Sequence, residues 1–464
     1  MKISTPTPPL PPQRGRVRVG GGSICVLNLN IISFCLKGPR QQSESTLRIF
    51  KGFFLCYIPV MITVEEALDK VLTHIQPLGS EKVSILETLG RVIAEDIYAN
   101  RDIPPLDNSG MDGYAVRSED IRNVSRDRPI QLKVIGDLPA GFISSKIVEK
   151  GQAIRIMTGA PIPKGADSVI RVEDTRNENG FVTILRAVAP GENIRKAGAD
   201  LRKGERVISI GDFIRPAEVG ILASVGRSFV SVYQRPLVAI LCTGEELVDV
   251  DGDWNEVKIV SSNSYTLAAQ VKDCGAIPIQ LGIAKDRKEE IEEKLRQGIR
   301  ADVLISSAGI SVGDYDFVKD VLNDLGMEMV FWKVAMKPGK PLAFGTIGKK
   351  PVFGLPGNPV SSMVSFEQFV RPSLLKMMGH RQLFRPVVEA ILKEDIHKEP
   401  GRRHFIRAFV SFEDNHYFVA LTGAQGSEIL RSMVRANGLI VIPEDREIVR
   451  AGEKVKVQLL DRNF

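Results

Sequence analysis

Three carboxylates lie in polar stretches that follow predicted buried strands, and together they could hold a metal ion. They are Glu246, Asp286 and Asp316. Carboxylate oxygens are hard ligands suited to Mg²⁺, which in proteins commonly bridges the phosphates of a ligand. Taken singly, Glu246 is better explained as a solvated loop residue, and Asp316 is equally well explained as the cap of the next helix. The magnesium interpretation therefore requires the three carboxylates to meet in space.

Two lysines lie in a loop that two prolines stiffen. Lys337 precedes Pro338, and Lys340 precedes Pro341. Two cations held close together repel each other, and the stiff loop has little conformational entropy left to lose on binding. This arrangement predicts a site for phosphate or another oxyanion.

Small and hydroxyl-bearing residues follow the same predicted strands. Gly309 and Gly313 would let the backbone approach a ligand closely. Asn358 followed by Pro359 is typical of a helix start, where free N–H groups attract anions. The further binding candidates in these stretches are Ser306, Ser307, Ser311, Gly357 and Ser361. The residues by themselves predict a site for an anionic, phosphate-bearing ligand with Mg²⁺, and they leave the ligand unnamed.

Other chemistries find no support in the sequence. The five histidines are scattered without metal-ligand spacing, and Cys242 and Cys274 have no nearby partner cysteine. The chain contains neither a Walker loop nor a dinucleotide-binding glycine fingerprint. A zinc site and a cysteine nucleophile are therefore not indicated.

The elements that would position these residues alternate between strand and helix. Short apolar runs predict strands at 237–242, 277–283, 303–306, 330–334 and 352–355, and amphipathic patterns predict helices at 264–273, 288–299, 316–325 and 360–378. This alternation predicts a doubly wound, mostly parallel sheet. Since ligands of such sheets bind beyond the carboxyl ends of the strands, the candidate residues are expected at one edge.

The rest of the chain predicts an elongated helical and β segment with an inserted β-rich module, and a small C-terminal β domain. Helices are expected at 63–75 and 215–225, and a helical or mixed segment at 83–98. The predicted domains are 61–100 with 191–234 (discontinuous), 101–190 (inserted module), 235–384 (doubly wound) and 385–464 (C-terminal). We therefore expect a multidomain α/β protein.

The first sixty residues differ from the remainder. The formal net charge is +6, yet residues 1–60 hold eight Lys or Arg against one Glu, so the body is near neutral. A nucleic-acid partner is therefore not indicated. The apolar patches of this leader are too short and interrupted for a membrane span, and no clean secretion signal is present. We expect residues 1–60 to be disordered or not natively translated, with a transit peptide or anchor as the alternative, and the protein to be cytoplasmic.

Five segments, in order, closely resemble the molybdopterin molybdenumtransferase family, which includes the E domain of gephyrin. The segments are PPLDNSGMDGYAV at 104–116, RIMTGAP at 155–161, SSAGISVGDYD at 306–316, KPGKP at 337–341 and GLPGNPVS at 354–361. The resemblance runs from Met61 to near the C-terminus. It implies an enzyme that inserts molybdate into adenylylated molybdopterin with Mg²⁺ and releases AMP and molybdenum cofactor.

The resemblance also implies roles for individual residues and a partner subunit. In the family the subunit is one half of an elongated homodimer, with the active cleft between subunits and a molybdopterin adenylyltransferase acting upstream. Matching by motif assigns functional positions to Asp112, Thr158, Asp200, Glu246, Asp286 and Asp316, and an oxyanion-binding loop to Lys337, Lys340 and Pro341. Arg402 and Ser432 match loosely as the contribution of the C-terminal domain.

Two alternatives remain open from the sequence. The fold could serve as a non-catalytic molybdopterin-binding scaffold, and the inserted metal could be tungstate, which like molybdate is a tetrahedral dianion. Departures from the family pattern are small, the first being Ala308 where glycine is common.

Overall fold

The computed structural model describes residues 61–253, 255–309 and 317–460, and, apart from these, only two short paired strands, Arg18–Val19 and Gly22–Ser23. The chain divides into two units, Met1–Ile58 and Pro59–Phe464. Apart from those two strands, the predictions for residues 1–60 lie outside the described residues. Among the described helices, none has the length and hydrophobicity that a bilayer crossing requires.

A six-stranded mixed sheet, called the central sheet below, confirms the doubly wound fold class. Its strands in spatial order are Ile277–Ala284, Leu237–Thr243, Val303–Ser307, Lys350–Leu355, Ala343–Ile347 and Met327–Phe331. The first four are parallel, and the last two pair antiparallel. The chain passes from Leu237–Thr243 to the strand on one side and then to Val303–Ser307 on the other, so the strand order reverses between these two.

Helices cover both faces of the central sheet because its strands are apolar on both sides. Val238 and Ile240 face one core, and Ala239 and Leu241 face the other. The helices Val64–His74, Ser262–Asp273, Pro359–Ser365 and Arg371–Met377 contribute to the first core, and Lys288–Gly298 and Phe317–Asp324 contribute to the second. Continuous apolar runs of this kind are typical of parallel strands buried on both faces.

Three elements of this region differ from the sequence predictions. The long helix predicted at 360–378 contains a π-helical turn, Phe366–Val370, between its two α-helical parts. The strand predicted at 330–334 lies at Met327–Phe331. Strand Ala343–Ile347 was not predicted, because Gly345 interrupts its apolar pattern. A Cβ at Gly345 would come within 2.5 Å of the Glu328 carbonyl oxygen, so the close strand pairing requires glycine there.

Residues on either side of the inserted module pack together. Strand Ser80–Ser84 pairs antiparallel with Phe229–Tyr233, and Ile97–Tyr98 pairs with Arg206–Ile208. The segment 83–98, predicted as helical or mixed, is mixed: its helical part is the short 3₁₀ turn Ile85–Thr88, which lies between strands Ser80–Ser84 and Ile97–Tyr98 because pairing with distant strands outweighs local helix propensity. The helix predicted at 215–225 is confirmed as Pro216–Ser224.

The helix predicted at 63–75 is confirmed as Val64–His74 and begins at a capping box. The Glu66 backbone N–H donates to the Thr63 hydroxyl at 3.1 Å, and the Thr63 N–H donates to the Glu66 carboxylate at 3.0 Å. Its buried face joins the first core of the central sheet.

The inserted module is a six-stranded sheet with a core on each face. Its strands in spatial order are Thr175–Glu178, Phe181–Ile184, Ile130–Leu138, Gln152–Ile156, Gly113–Val116 and Ser168–Arg171. The strand Asn108–Ser109 pairs with Ile194–Arg195 at the point where the chain leaves this module.

The C-terminal strands close into a barrel. Gly438–Ile442 pairs with both Lys454–Leu459 and Arg403–Glu413, and the other barrel strands are Val387–Leu392 and His416–Leu421. The short strand Met336–Lys337 pairs parallel with Arg403 and His404 at the start of the long strand. The predicted lysine loop is therefore attached to the barrel as well as to the central sheet.

Candidate active site

The first cavity, called cavity 1 below, lies where the strand order of the central sheet reverses. Its volume is about 590 Å³, and its wall includes Thr243 and Ser307 at the carboxyl ends of the two strands flanking the reversal. Gly357, Asn358 and Pro359 follow the next strand and line the same cavity. This is the position at which doubly wound sheets bind ligands.

Asn263, near the start of helix Ser262–Asp273, ties the strand ends together. Its side-chain amide donates to the Ser307 hydroxyl at 2.8 Å and to the Gly357 carbonyl oxygen at 2.7 Å. The residue is 8% exposed, and its Oδ1 has no hydrogen-bond partner among the described residues. Buried polar atoms are nearly always paired, so this acceptor in the cavity wall is available to a ligand or to water.

Further polar atoms lie beneath the same wall. The Ser264 hydroxyl lies 2.8 Å from the Ser261 hydroxyl and donates to the Cys242 sulfur at 3.2 Å. Burial raises the pKa of the Cys242 thiol, so the sulfur is protonated at neutral pH and serves as a packing group rather than a nucleophile. The Thr243 hydroxyl is buried without a partner in the described part of the chain. Cavity 1 therefore has a polar floor that a ligand can complete.

The predicted metal carboxylates are close together where the structure describes them. Glu246 lines cavity 1, and Asp286 follows the neighbouring strand. Burial raises the pKa of Asp286, and the adjacent Glu246 and Glu245 carboxylates raise it further. A divalent cation would relieve this like-charge repulsion, so the donor set fits Mg²⁺. Asp316 lies outside the described residues, within which no group of three metal-ligating side chains occurs.

The glycine-rich loop after strand Val303–Ser307 begins with two residues in the left-handed region. Gly309 has φ 73°, and a Cβ there would come within 2.3 Å of Val318 Cγ2 and 2.8 Å of Thr243 Oγ1. Ala308 has φ 70°, a conformation that costs a residue with a side chain about 1 kcal/mol. Glycine at 309 is therefore needed for close packing against the protein itself. Ser311 and Gly313, further along this loop, lie outside the described residues.

A second cavity, called cavity 2 below, adjoins the first and is bounded by the lysine loop and the C-terminal barrel. Its volume is about 810 Å³. The predicted residues Lys337, Lys340, Ser361 and Arg402 line it. Pro341, Pro356, Asn358 and Glu428 line both cavities. The two cavities are therefore neighbours with a shared wall.

Cations dominate cavity 2. Neither Lys337 nor Lys340 forms an ion pair with a carboxylate of the described chain, and both are exposed to the cavity solvent. Lys398 donates to three backbone carbonyl oxygens, those of Glu399, Arg402 and Glu444, at 3.1–3.2 Å. Unpaired cations beside others that are fixed in place are chemically suited to bind an oxyanion.

Asn358 occupies the predicted position before helix Pro359–Ser365, and Pro359 is its first residue. The Asn358 side chain does not cap this helix; its amide donates to the Ser427 hydroxyl at 2.9 Å. Asn358 therefore links the central sheet to the C-terminal barrel at the wall shared by the cavities.

Several predicted site residues lie away from both cavities. Ser306 is buried, and its hydroxyl donates to the Ala308 carbonyl oxygen at 3.3 Å. The buried Ser432 hydroxyl accepts from Arg407 Nε at 3.0 Å and donates to the Ile429 carbonyl oxygen at 2.6 Å, so it supports the wall instead of lining it. The serine of this stretch that does line cavity 2 is Ser427.

Asp112 and Thr158 of the inserted module, and Asp200 beyond it, also line neither cavity. Asp112 is exposed, and its Oδ1 accepts hydrogen bonds from the Thr158 backbone N–H and hydroxyl, both at 2.7 Å. These hydrogen bonds hold the pKa of Asp112 below its usual value. Asp200 is exposed. The structure thus joins Asp112 to Thr158 as a fixed carboxylate–hydroxyl pair on the surface.

Some wall residues were missed by sequence reasoning, namely Ser261, Asn263, Lys398, His404, Ser427 and Glu428. Ser261 and Asn263 precede or begin a helix instead of following a strand, and the serine-rich run 261–264 was a signal for such a start. The others come from the C-terminal barrel, and nothing local in their sequence indicates a neighbouring sheet.

The fold and the two cavities define a multidomain α/β protein with one cavity at the switch point of a doubly wound sheet and a cation-rich cavity beside it. Comparison with known proteins agrees with this domain architecture. Three family patterns match in order: the MoeA N-terminal region (domains I and II) at 62–226, a probable molybdopterin binding domain at 239–376, and the MoeA C-terminal region (domain IV) at 389–460.

Curated relatives and solved structures give the same result over the length of the match. The molybdopterin molybdenumtransferases of Nostoc and of Haemophilus influenzae are each 37% identical and align over 86% of this chain and 94% and 98% of their own. A crystal structure of the molybdopterin biosynthesis MoeA protein of Pyrococcus horikoshii is 36% identical with a TM-score of 0.74, covering 86% of this chain and 100% of that one. The chain belongs to the molybdopterin molybdenumtransferase family.

Proposed function

We propose that this protein inserts molybdate into adenylylated molybdopterin and releases AMP and molybdenum cofactor. The observation that supports this most strongly is the shared wall of the two cavities. One lies at the switch point of the sheet, and the other is rich in cations. A pterin phosphate and an oxyanion bound in these cavities would be neighbours, as an insertion reaction requires.

Cavity 1 would hold the pterin substrate. Its floor offers the unpaired Asn263 Oδ1, and Gly309 and Gly357 line its wall. Glu246 and Asp286, together with Asp316, would hold Mg²⁺. The ion, when bound, neutralises phosphate charge and polarises phosphoryl oxygens.

Cavity 2 would hold molybdate. Lys337, Lys340 and Arg402 supply positive charge, and Ser361 supplies a hydroxyl. A tetrahedral dianion is stabilised by several fixed donors at once, because each charge-assisted hydrogen bond is stronger than a neutral one. Tungstate has the same shape and charge, so these donors do not separate the two metals.

The protein would work as a cytoplasmic homodimer supplied by a molybdopterin adenylyltransferase. The exposed pair Asp112 and Thr158, with Asp200, lies away from the cavities of its own chain. This is consistent with a role for these residues in the cleft of the partner subunit. The fixed carboxylate–hydroxyl pair would then face the bound substrate across the dimer interface.

The test uses the purified full-length chain with adenylylated molybdopterin, Mg²⁺ and molybdate. We expect AMP release that requires molybdate, together with formation of active cofactor. Tungstate in place of molybdate tests the choice of metal. Tight binding of the pterin without AMP release would contradict the enzymatic proposal and indicate a scaffold, whereas no binding of the pterin would contradict both.

A further inference from the structure

His404 is a buried histidine in the wall of cavity 2 whose hydrogen bonding is incomplete. The residue is 7% exposed, and its Nε2 has no hydrogen-bond partner in the described ranges. Leaving a buried polar atom unpaired destabilises the folded state, so such an atom in a cavity wall is a candidate to pair with a bound group.

The charges around His404 indicate which kind of group its ring would pair with. His404 is opposite Lys337 in the parallel pairing of the lysine loop with the barrel, and the nearby charges of Lys398 and Arg402 also act on it. The other charged or titratable side chains of this cavity are Lys340, Asp395, His397, Glu399, Arg407 and Glu428.

The acidic groups of this cavity offset the cations near His404 only in part, because Glu399 pairs with Arg402 whereas Lys337 has no ion-pair partner among the described residues. Asp395 pairs with Arg450 at 2.7 Å, and Glu399 contacts Arg402 at 3.5 Å. The charge of Glu428 raises the pKa of Arg407, and the larger effect of burial lowers that pKa to about 10. An anion is therefore the ligand that this environment favours.

Burial, and then the positive charges of Lys398, Lys337 and Arg402, lower the pKa of His404 to about 4. The ring is therefore neutral at pH 7 and retains one N–H. A neutral imidazole can donate that N–H from Nε2 without adding a further positive charge to the site.

We propose that His404 is an oxyanion-binding residue of cavity 2, donating its Nε2–H to one oxygen of a tetrahedral oxyanion, and that the bound oxyanion makes the ring easier to protonate. This inference rests on the proposed assignment of cavity 2 to molybdate. Its new content is the identity of the donor and the pH dependence that it gives to the site.

The sign of the pH dependence follows from linkage. A dianion beside the ring offsets the cations that disfavour imidazolium, so binding raises the pKa of His404. A ligand that raises a pKa binds more tightly as pH falls between the bound and the free value. Affinity for molybdate should therefore increase as pH falls below neutrality.

Two substitutions of His404 separate hydrogen-bond donation by its side chain from protonation of its ring. His404→Leu removes both, whereas His404→Gln keeps an N–H donor that does not titrate. We expect His404→Leu to weaken molybdate binding about tenfold at pH 7, the equivalent of one charge-assisted hydrogen bond. His404→Gln should bind within about threefold of wild type and lose the pH dependence. His416→Gln, at an exposed histidine of the same barrel, is the matched control.

The measurements are calorimetric titration of the full chain with sodium molybdate between about pH 8 and pH 6, and proton NMR of the five histidine rings. Wild type should gain affinity for molybdate as pH falls across this range, and His404→Gln should not. The NMR signal lost in His404→Gln should shift on molybdate addition, with its pKa raised.

The titrations distinguish failure of the role of His404 from failure of the assignment of cavity 2 to molybdate. If wild type binds molybdate but both His404 variants match it at every pH and the ring signal does not move, the inference is wrong while the proposed function stands. If wild type binds no molybdate, the assignment of cavity 2 is wrong and the inference with it. Equal effects in His416→Gln would also refute a specific role for His404.

Discussion

Replacing Asn263 tests whether the floor of cavity 1 is held by one side chain. Its amide donates two hydrogen bonds, at 2.8 Å to the Ser307 hydroxyl and at 2.7 Å to the Gly357 carbonyl oxygen. These bonds join the start of a helix to the ends of two strands. We expect Asn263→Ala to destabilise the central sheet and to impair pterin binding, since both loops lose their common anchor.

The expected loss in the free energy of unfolding follows from the hydrogen-bonding groups that Asn263→Ala leaves without their partner. Each lost hydrogen bond is worth about 1 kcal/mol, and an acceptor left buried without a partner costs about 1–3 kcal/mol. The Ser307 hydroxyl keeps a long contact of 3.5 Å to the Pro356 carbonyl oxygen, and water can enter from the cavity of about 590 Å³. The loss in the free energy of unfolding should therefore fall at the lower end, about 2 kcal/mol.

Asn263→Asp gives a sharper comparison because it keeps the shape. A carboxylate would face the Gly357 carbonyl oxygen, so an acceptor meets an acceptor and a charge is buried. We expect Asn263→Asp to be at least about 1 kcal/mol less stable than Asn263→Ala at pH 7, and to recover as pH falls and the carboxyl group is protonated.

Scanning calorimetry and urea unfolding measure these differences, and titration with the pterin substrate measures the effect on binding. Asn323→Ala, at an exposed position of helix Phe317–Asp324, is the matched control and should change stability by less than about 0.5 kcal/mol. The reasoning is refuted if Asn263→Ala behaves like this control, or if the aspartate variant is the more stable of the two.

Three further predictions concern charge. Because His404 has a pKa of about 4 in the folded chain against 6.5 for an ordinary histidine, protonation favours the unfolded chain as pH falls from 6.5 to about 4. Across this range the free energy of unfolding of wild type, measured with urea, should fall by about 3 kcal/mol more than that of His404→Leu. An equal fall in the two proteins would contradict this. Without metal, Asp286→Asn should raise the thermal unfolding midpoint, because it removes a carboxylate whose pKa is raised by burial and by the neighbouring glutamates. The same substitution should lower the rate of AMP release by about 100-fold or more, and an unchanged rate would exclude a metal-binding role. Lys337→Met or Lys340→Met should weaken molybdate binding about tenfold. The control Lys349→Met changes an exposed lysine outside both cavities and should leave the affinity unchanged. If all three variants bind molybdate equally well, the two loop lysines do not hold the oxyanion.

Local pattern predicted much of the central sheet. The apolar runs at 237–242 and 303–306 are strands, since continuous burial on both faces leaves no other assignment for such short segments. The predicted helix at 288–299 is observed as Lys288–Gly298, because its amphipathic spacing is strong. The segment 83–98, predicted as helical or mixed, has only one short helical turn because its two ends pair with strands Phe229–Tyr233 and Arg206–Ile208, partners that local pattern does not reveal.

Residue type and near-neighbour spacing are local properties, so the lysine loop, the carboxylates and hydroxyls that follow the strands, and the family motifs are all visible in the amino-acid sequence. Which of these residues meet depends on the folded chain. It placed His404 opposite Lys337 and joined Asn358 to Ser427, because these contacts link segments far apart in the chain through sheet pairing and packing. It also separated Ser432 from the cavity, since burial beside Arg407 depends on how the barrel closes.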